Sequence, residues 1–587
     1  MKPRGVIQEE TPDHQRQVFK KALAGITLPN PYFQTGPLSE ELLHVDGYKN
    51  LQTYFPTLTK LFRMGRWNSG DEIWMDTKWR LRAIDCSGTT GPCSATLVSN
   101  KDSSVTPIAT PAFLKVTHLL NPISWIQGKY SLPKESGLPW FHKSWQNAWQ
   151  KLQDPWNQAY VEAIAAYALG RLREEDLSPH FNHFYGAFCA RANTYRYNLS
   201  EDFQSYRHER WFWNGKQKGL FKIQVLNTEN PAEPIPEDIL QEILEQPDEY
   251  SDSADTESTL EELDINIDDK SVGLKSADSM SDVSYASSNR GAEADTDNKT
   301  DTNEEDDNSD DGIGVYAEIP NYPVMLIVSE KNNGTMDSLF ERHEEVGAIP
   351  GSVEWELRWA AWIFQVVTAL SCAQTVLGFT HNDLHTNNVV WSSTDKEFLY
   401  YSSRDGGSVF KIPTFGKVFR IIDYGRAIFT INGKIFISDD FKSGNDADGQ
   451  YRFSPLNQRV EKEIPPNPSF DLCRLAVSLL DGVFPTKPAK KEDWKTILSD
   501  EPGLTVEETE SPLFNMLWRW MVDDEGRNIF INPDGSERFP DFDLYKHIAA
   551  HIFKAVPSQQ FHDPAFDSFQ IKRSDVPESE RIYSLFC

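Results

Sequence analysis

The sequence predicts an α+β protein in two lobes, a smaller β-rich one followed by a larger, mostly helical one, with a long acidic segment inserted into the first. Three observations carry that prediction. The short runs Ala112–Val116, Leu220–Leu226 and Pro323–Val328 have the length and side-chain types of strands. From Ser352 onward, Leu357, Ala360, Phe364, Val367, Leu370 and Leu377 recur at helical spacing, and Gly378 falls where a helix-ending glycine belongs. Between the second and third strand candidates, residues 229–311 hold 28 acidic against four basic side chains, with no Trp or Phe. Such a stretch cannot bury enough apolar surface to offset its ordering entropy, so 229–314 is expected to be disordered. The exception is Ile235, Ile239, Leu240 and Ile243, spaced for a short amphipathic turn or two.

That segment also accounts for the overall charge. Of a net −30 over 587 residues, −24 belongs to 229–311 and only −6 to everything else. Acidity therefore argues against nucleic acid for the insert more than for the body, and basic molecules are the insert's expected partners. With 17 Trp, 20 Tyr and 34 Phe the chain can fill a sizeable core. Six scattered cysteines without a C-x-x-C pair suit neither a disulfide framework nor a zinc site, and point to a reducing compartment. The first residues lack the apolar core of a signal peptide. The most apolar stretch, Ala360–Ala373, falls short of the ~20 residues of a membrane helix. An intracellular protein, cytoplasmic or nuclear and without a membrane span, is expected.

The sharpest chemical signal is Thr380-His381-Asn382-Asp383-Leu384-His385-Thr386-Asn387-Asn388, a polar loop between the long helix candidate and the strand-like Val389-Val390-Trp391. Further on, Val418–Ile422 reads as a strand delivering Asp423-Tyr424-Gly425 at its end. Phosphoryl transfer needs such a set. One carboxylate accepts the proton of the attacking hydroxyl, and a second, with an amide oxygen, offers the hard oxygen ligands that Mg²⁺ prefers. Asp383, Asn388 and Asp423 are the right types in the right order. Here the chain resembles the protein kinase superfamily, whose loop reads H-x-D-x-x-x-x-N and whose metal motif reads D-[FY]-G.

The 40 residues from Asp383 to Asp423 are roughly twice the usual kinase distance. The excess reads as one hairpin, Phe398–Tyr401 and Val409–Pro413, which need not move either carboxylate. In this form the sequence looks like the kinase-like proteins of giant DNA viruses and some protists. The likeness continues through Gly444–Ala447, Ser469–Ala476 and Arg538–Lys546.

The resemblance implies a bilobal kinase-like fold binding ATP and Mg²⁺. Residues 76–228 and 315–330 would form the amino-terminal lobe around the 229–314 insert, and 331–587 the carboxyl-terminal lobe. Residues 1–75 form an extension of unknown role. Asp383 would be the catalytic carboxylate, with Asn388 and Asp423 as metal ligands. Lys115 would hold the α- and β-phosphates, oriented by Glu162 on the helix candidate Asn157–Leu169. Ser329, Glu330 and Lys331 would be the hinge that offers backbone groups to adenine. Asp471, opening a helix, would hold the catalytic-loop backbone, and His381 would be a structural histidine of that loop.

Two features depart from the pattern. No G-x-G-x-x-G precedes Lys115. Only Cys86–Cys93, with Gly88 and Gly91, could cap phosphates through backbone amides, and a plain surface turn explains it equally well. Asn382 stands where regulated kinases carry Arg, which implies independence from activation-loop phosphate. His385 stands in the usual position of Lys and could donate to the γ-phosphate. An atypical Ser/Thr protein kinase is therefore expected, with a small-molecule kinase or a pseudokinase scaffold as alternatives.

Overall fold

The computed structural model describes residues 33–37, 45–61, 71–86, 88–102, 104–130, 147–228, 234–247, 313–403, 406–454, 456–457, 462–491 and 508–586. The architecture is α+β. The chain divides into two compact units, one made of residues 1–119, 134–191 and 323–587, the other of 120–133 and 192–322.

The first unit carries an antiparallel sheet. Its strands are β1 (Tyr48–Gln52), β2 (Trp79–Cys86), β3 (Gly91–Ser99), β4 (Ile108–His118), the first part of β5 (Phe184–Asn198) and the last part of a strand running Ile313–Glu330. With β6 (Lys222–Asn227) preceding it in the chain, that long strand is β7, and the order across the sheet is β1-β5-β7-β4-β3-β2. The register pairs Lys115 with Ile327 and Ala112 with Glu330. β1 lies within the uninterpreted 1–75 stretch, and a separate two-stranded ladder there joins Phe33–Pro37 to Asp71–Met75.

Cys86 and Cys93 face each other across β2 and β3 and form a disulfide, with Cα atoms 4.3 Å apart. This corrects the expectation of unpaired cysteines. A hairpin register brings two residues seven apart within bonding reach, and no C-x-x-C spacing is needed. Cys189, Cys372 and Cys473 are buried.

Helix α1 (Gln158–Glu174) starts at Asn157, whose side chain accepts from the Ala159 amide. The long helix, Val353–Leu377, starts at Ser352, which caps Trp355, and ends at Gly378 with φ +56°. By length and composition it could cross a membrane, yet its apolar stretch is 94% buried inside the protein. Trp355, Trp359 and Trp362 are wholly buried on it. Their indoles stack edge to face or tilted in sequence, which welds the helix to its surroundings.

Residues 331–587 contain more β-structure than expected. Beside the long helix and the helices Phe470–Val483, Pro512–Trp520 and Phe542–His551 there are, among the described residues, a two-stranded ladder of Phe429–Ile431 with Lys434–Phe436 and two larger sheets. In the first, β8 (Gly334–Thr335) and β9 (Val389–Ser393) lie beside Lys417–Ile421. In the second, the predicted hairpin β10 (Phe398–Ser402) and β11 (Val409–Pro413) is flanked by Gln570–Ile571 and by Ile582–Ser584, the latter running parallel to β10. Near-continuous apolar runs of five residues gave little warning of these pairings, because each partner comes from a distant part of the chain.

The second unit is held by an aromatic cluster in which Phe212 contacts Phe203, Trp211, Trp213 and Phe221. Gly215 sits so close to Ile126 that an added Cβ would lie 2.3 Å from its carbonyl oxygen. β6 pairs with the first part of β7. A helix, Glu237–Leu244, includes Ile239, Leu240 and Ile243 as expected. The rest of the acidic segment, and with it the expectation of disorder, lies outside the described residues.

Candidate active site

The 380–388 loop leaves the long helix at Gly378 and is gripped from three sides. Thr380 and Ile428 exchange backbone hydrogen bonds of 2.8 and 2.9 Å. The fully buried Asp471, in the first turn of helix Phe470–Val483, accepts from the amides of His381 (2.9 and 3.1 Å) and Asn382 (2.9 Å). Burial pushes the Asp471 carboxyl up, against those two amides and the nearby His381 ring. The His381 ring bonds the Ile422 carbonyl at 2.8 Å, tying the loop to the strand that ends at Asp423. His381 and Asp471 therefore both hold the loop in shape.

Asn382 adopts φ +65°, a conformation unusual for a residue with a Cβ. It is wholly buried, donating to the carbonyls of Thr380 and Arg426 and accepting from the Tyr451 hydroxyl at 2.7 Å. These three bonds hold the peptide in the left-handed conformation that turns Asp383 outward. Asp383 Oδ1 accepts from the Tyr545 hydroxyl at 2.6 Å, and Oδ2 lies 3.9 Å from Arg426 Nη1.

The Asn388 amide nitrogen is engaged twice. Nδ2 donates to the Asp383 carbonyl at 2.9 Å and faces His385 Nε2 at 3.1 Å, so the amide oxygen is the atom turned away from both. His385 Nε2 is then the acceptor, and a neutral ring carries its hydrogen on Nδ1. Burial lowers the His385 imidazole, with Asp383 opposing, which keeps the ring neutral near pH 7. Any donation from His385 to a ligand would therefore come from Nδ1.

The strand Lys417–Ile421, here β12, pairs directly with β9, with Val389 opposite Ile421. The Ile422 amide adds a 3.0 Å bond to the Asn388 carbonyl. The extra hairpin within the 40-residue span is thus looped out into the second sheet, leaving Asn388 and Asp423 at the same end of one ladder. Gln365 on the long helix grips β12 from behind, accepting from the Phe419 amide and donating to the Lys417 carbonyl. His180 bonds the Phe419 carbonyl at 2.8 Å.

Asp423 also has φ +65°. Its Oδ1 lies 2.7 Å from Lys115 Nζ, and the same ammonium lies 2.5 Å from Glu162 Oε1. Burial would lower the Lys115 ammonium, but Asp423 and Glu162 together hold it above its ordinary value. The two carboxyls respond differently. At Asp423 burial is outweighed by Lys115, and the group is held low; at Glu162, with only 4% of its side chain exposed, burial wins and the group is raised. Thr117, two residues beyond Lys115 on the same strand, donates to Glu162 Oε2 at 3.2 Å.

The proposed nucleotide-facing residues are less uniform. Glu330 closes β7, and its carboxylate is held by Arg173 and Arg420. Burial raises that group, but the two guanidiniums outweigh it and keep the carboxyl low. The Glu330 amide donates to the His183 carbonyl, and its own carbonyl accepts from Asn182 and Asn332 at 3.5 Å. Ser329 lies opposite Phe113 in the β4–β7 ladder, and Lys331 is the first residue beyond that strand. Gly88 lies in the turn between β2 and β3, and Gly91, at φ +102°, opens β3. Around them the tip is fastened. Thr90 donates to the Leu114 carbonyl at 2.9 Å, Tyr48 to the Thr89 carbonyl, and the disulfide closes the base of the turn. Phe113, 36% exposed, alternates with Leu114 and so shares the sheet face of Lys115.

Sequence reasoning missed Tyr545, Arg426, Arg474 and Tyr451. Tyr545 and Arg474 lie within the Arg538–Lys546 and Ser469–Ala476 stretches that carried part of the resemblance, and those stretches were the available signal. A fifth, Asp440, is 94% buried with Oδ2 lacking a hydrogen-bond partner among the described residues. Burial and the neighbouring Asp446 carboxylate push it up to about 8, against the pull of Arg426. The folded protein keeps that proton well above the pH at which the unfolded chain, near 3.8, has lost it. Its stabilising effect is full below about pH 4 and is lost as the pH rises through about 8. Asp440→Asn is expected to raise the urea midpoint over wild type at pH 8.5 clearly more than at pH 5. Equal differences at the two pH values would remove Asp440 as the cause.

The chain matches no protein-family model and no curated protein sequence.

Proposed function

We propose that the protein is a phosphotransferase of the protein-kinase type, moving the γ-phosphoryl group of ATP to serine or threonine hydroxyls of a protein. The observation that carries this reading is Lys115, whose ammonium bridges Glu162 on α1 and Asp423 at the end of β12, 308 residues away in sequence. Bridging two carboxylates from distant segments gives a fixed cation suited to the α- and β-phosphates. Asp383, on the loop that Asn388 and His381 bind to the Asp423 strand, would accept the proton as the acceptor oxygen bonds to phosphorus and the bond to ADP breaks.

The donor set suits Mg²⁺, which takes one or two protein carboxylates and completes its shell from phosphates and water. Asp423 and the Asn388 amide oxygen would hold it. Bound there, Mg²⁺ would offset the charge on the phosphates. The bilobal kinase arrangement, with adenine near Ser329 and Lys331, belongs to the same proposal.

One feature favours the scaffold alternative: the fastened β2–β3 tip offers no glycine-rich cover for phosphates. A thermal shift separates the two. With Mg-ATP at about 100 times its Kd, binding is worth about 2.7 kcal/mol and raises the melting temperature by a few degrees. No shift with ATP, with or without Mg²⁺, would favour the scaffold. Labelled γ-phosphate appearing in casein or histones, and absent with Asp383→Ala, supports the protein kinase. Label appearing only in small hydroxyl compounds would move the reading to a small-molecule kinase.

A further inference from the structure

We infer that Tyr545 is a positioning residue for Asp383: its hydroxyl, relayed from Arg474, fixes the rotation of the carboxylate that receives the acceptor's proton. This deepens the phosphotransferase reading and rests on it.

The hydroxyl makes two bonds. It donates to Asp383 Oδ1 at 2.6 Å and accepts from Arg474 Nε at 3.0 Å. An N–H on one side forces the phenol proton toward the carboxylate, so the direction of donation is set. The ring is equally constrained. The guanidiniums of Arg474 and Arg426 lie 5.3 and 5.7 Å from its centroid, and the rings of Phe470 and Phe542 lie 5.9 and 5.2 Å away. Its helix, Phe542–His551, is fastened at the far end by Asn467, whose amide group donates to the carbonyls of Ile548, Ala549 and Ile552. Leu544, Ile548 and Ala549 are buried beneath it.

This arrangement is a rigid mount. A movable plug would have to draw Tyr545 out of four cationic and aromatic contacts and break the Asn467 clamp. A carboxylate oxygen has a second lone pair, and among the described residues Oδ2 faces only Arg426, at 3.9 Å, so the Tyr545 bond leaves room for an acceptor hydroxyl. Burial and the Asp383 carboxylate push the Tyr545 phenol up to about 12, which keeps it a donor at any working pH.

The test compares Tyr545→Phe, Tyr545→Ala and wild type. Positioning through the hydroxyl predicts that Phe already loses most of the activity, with kcat down about 10- to 100-fold, because small misplacements of reacting groups cost that much. KM for ATP and the Mg-ATP thermal shift should stay within twofold. A merely structural role for the ring predicts a normal Phe variant and a damaged Ala variant, and that outcome would overturn the inference. So would a rise in kcat with Phe, which would make Tyr545 an occupant of the acceptor's place. A second readout does not need activity. In ¹³Cζ-tyrosine-labelled protein, the resonance absent from Tyr545→Phe should move on Asp383→Asn. An unmoved resonance would refute the contact itself. A moved resonance in a wild-type protein that transfers no phosphate would sink the phosphotransferase reading and the positioning role with it, leaving a structural hydrogen bond.

Discussion

Asp383→Asn is expected to lower phosphoryl transfer by about 10²- to 10⁴-fold, the usual contribution of a positioned general base. The substitution preserves size and retains an oxygen for the Tyr545 hydroxyl, so the loop should keep its shape. What it removes is the ability to take a proton from the acceptor. It also leaves Arg426 without the Asp383 charge, the first of the carboxylates that hold that guanidinium above its ordinary value against burial. Mg-ATP binding should survive, since Lys115 and Asp423 are untouched. Single-turnover transfer and the Mg-ATP thermal shift, measured on the same preparation, separate the two effects. Transfer within tenfold of wild type would remove Asp383 from the role of base.

Lys115→Met should damage stability as well as activity. One ammonium neutralises two carboxylates, with 21% of its side chain exposed against 4% for Glu162 and 24% for Asp423. Breaking a fully buried pair costs about 3–5 kcal/mol; with partial exposure at two of the three groups, about 2–4 kcal/mol is expected. The loss should concentrate at Glu162, where burial already outweighs the ammonium. Adding Glu162→Gln to Lys115→Met should therefore recover part of the stability, because the uncompensated buried charge is gone, while nucleotide binding stays lost. Urea midpoints of the two single variants and the double variant give the coupling directly. A double variant less stable than Lys115→Met alone would show that the triad is not held by charge.

Much of the fold was legible where local rules decide it. Ser352 and Gly378 bracket the long helix, Asn157 caps α1, and the β10–β11 hairpin occupies its expected residues. Helix caps and side-chain periodicity act within a few residues, so they survive in the linear order. The hairpin's absorption into a sheet with the carboxyl-terminal strands, and the pairing of Cys86 with Cys93, depend on register between strands. Register has no local signature when the apolar runs are continuous. The greater β content of residues 331–587 was missed for the same reason.

The candidate site divides in the same way. Residue types at the spacing of the kinase-like motifs were enough to single out Asp383, Asn388 and Asp423, because that pattern is written in the linear order. The resemblance paired Lys115, on a strand candidate, with Glu162, on a helix candidate, and the structure brings their charged atoms to 2.5 Å. Tertiary structure alone decided what each group does in place: Tyr545 bonded to Asp383, Asn382 locked at positive φ, His385 turned into an acceptor, and the Glu330 backbone already committed. Hydrogen-bond partners and ionisation depend on which distant groups arrive at a few ångströms and on how much water they displace. Those quantities exist only once the chain has closed around the site.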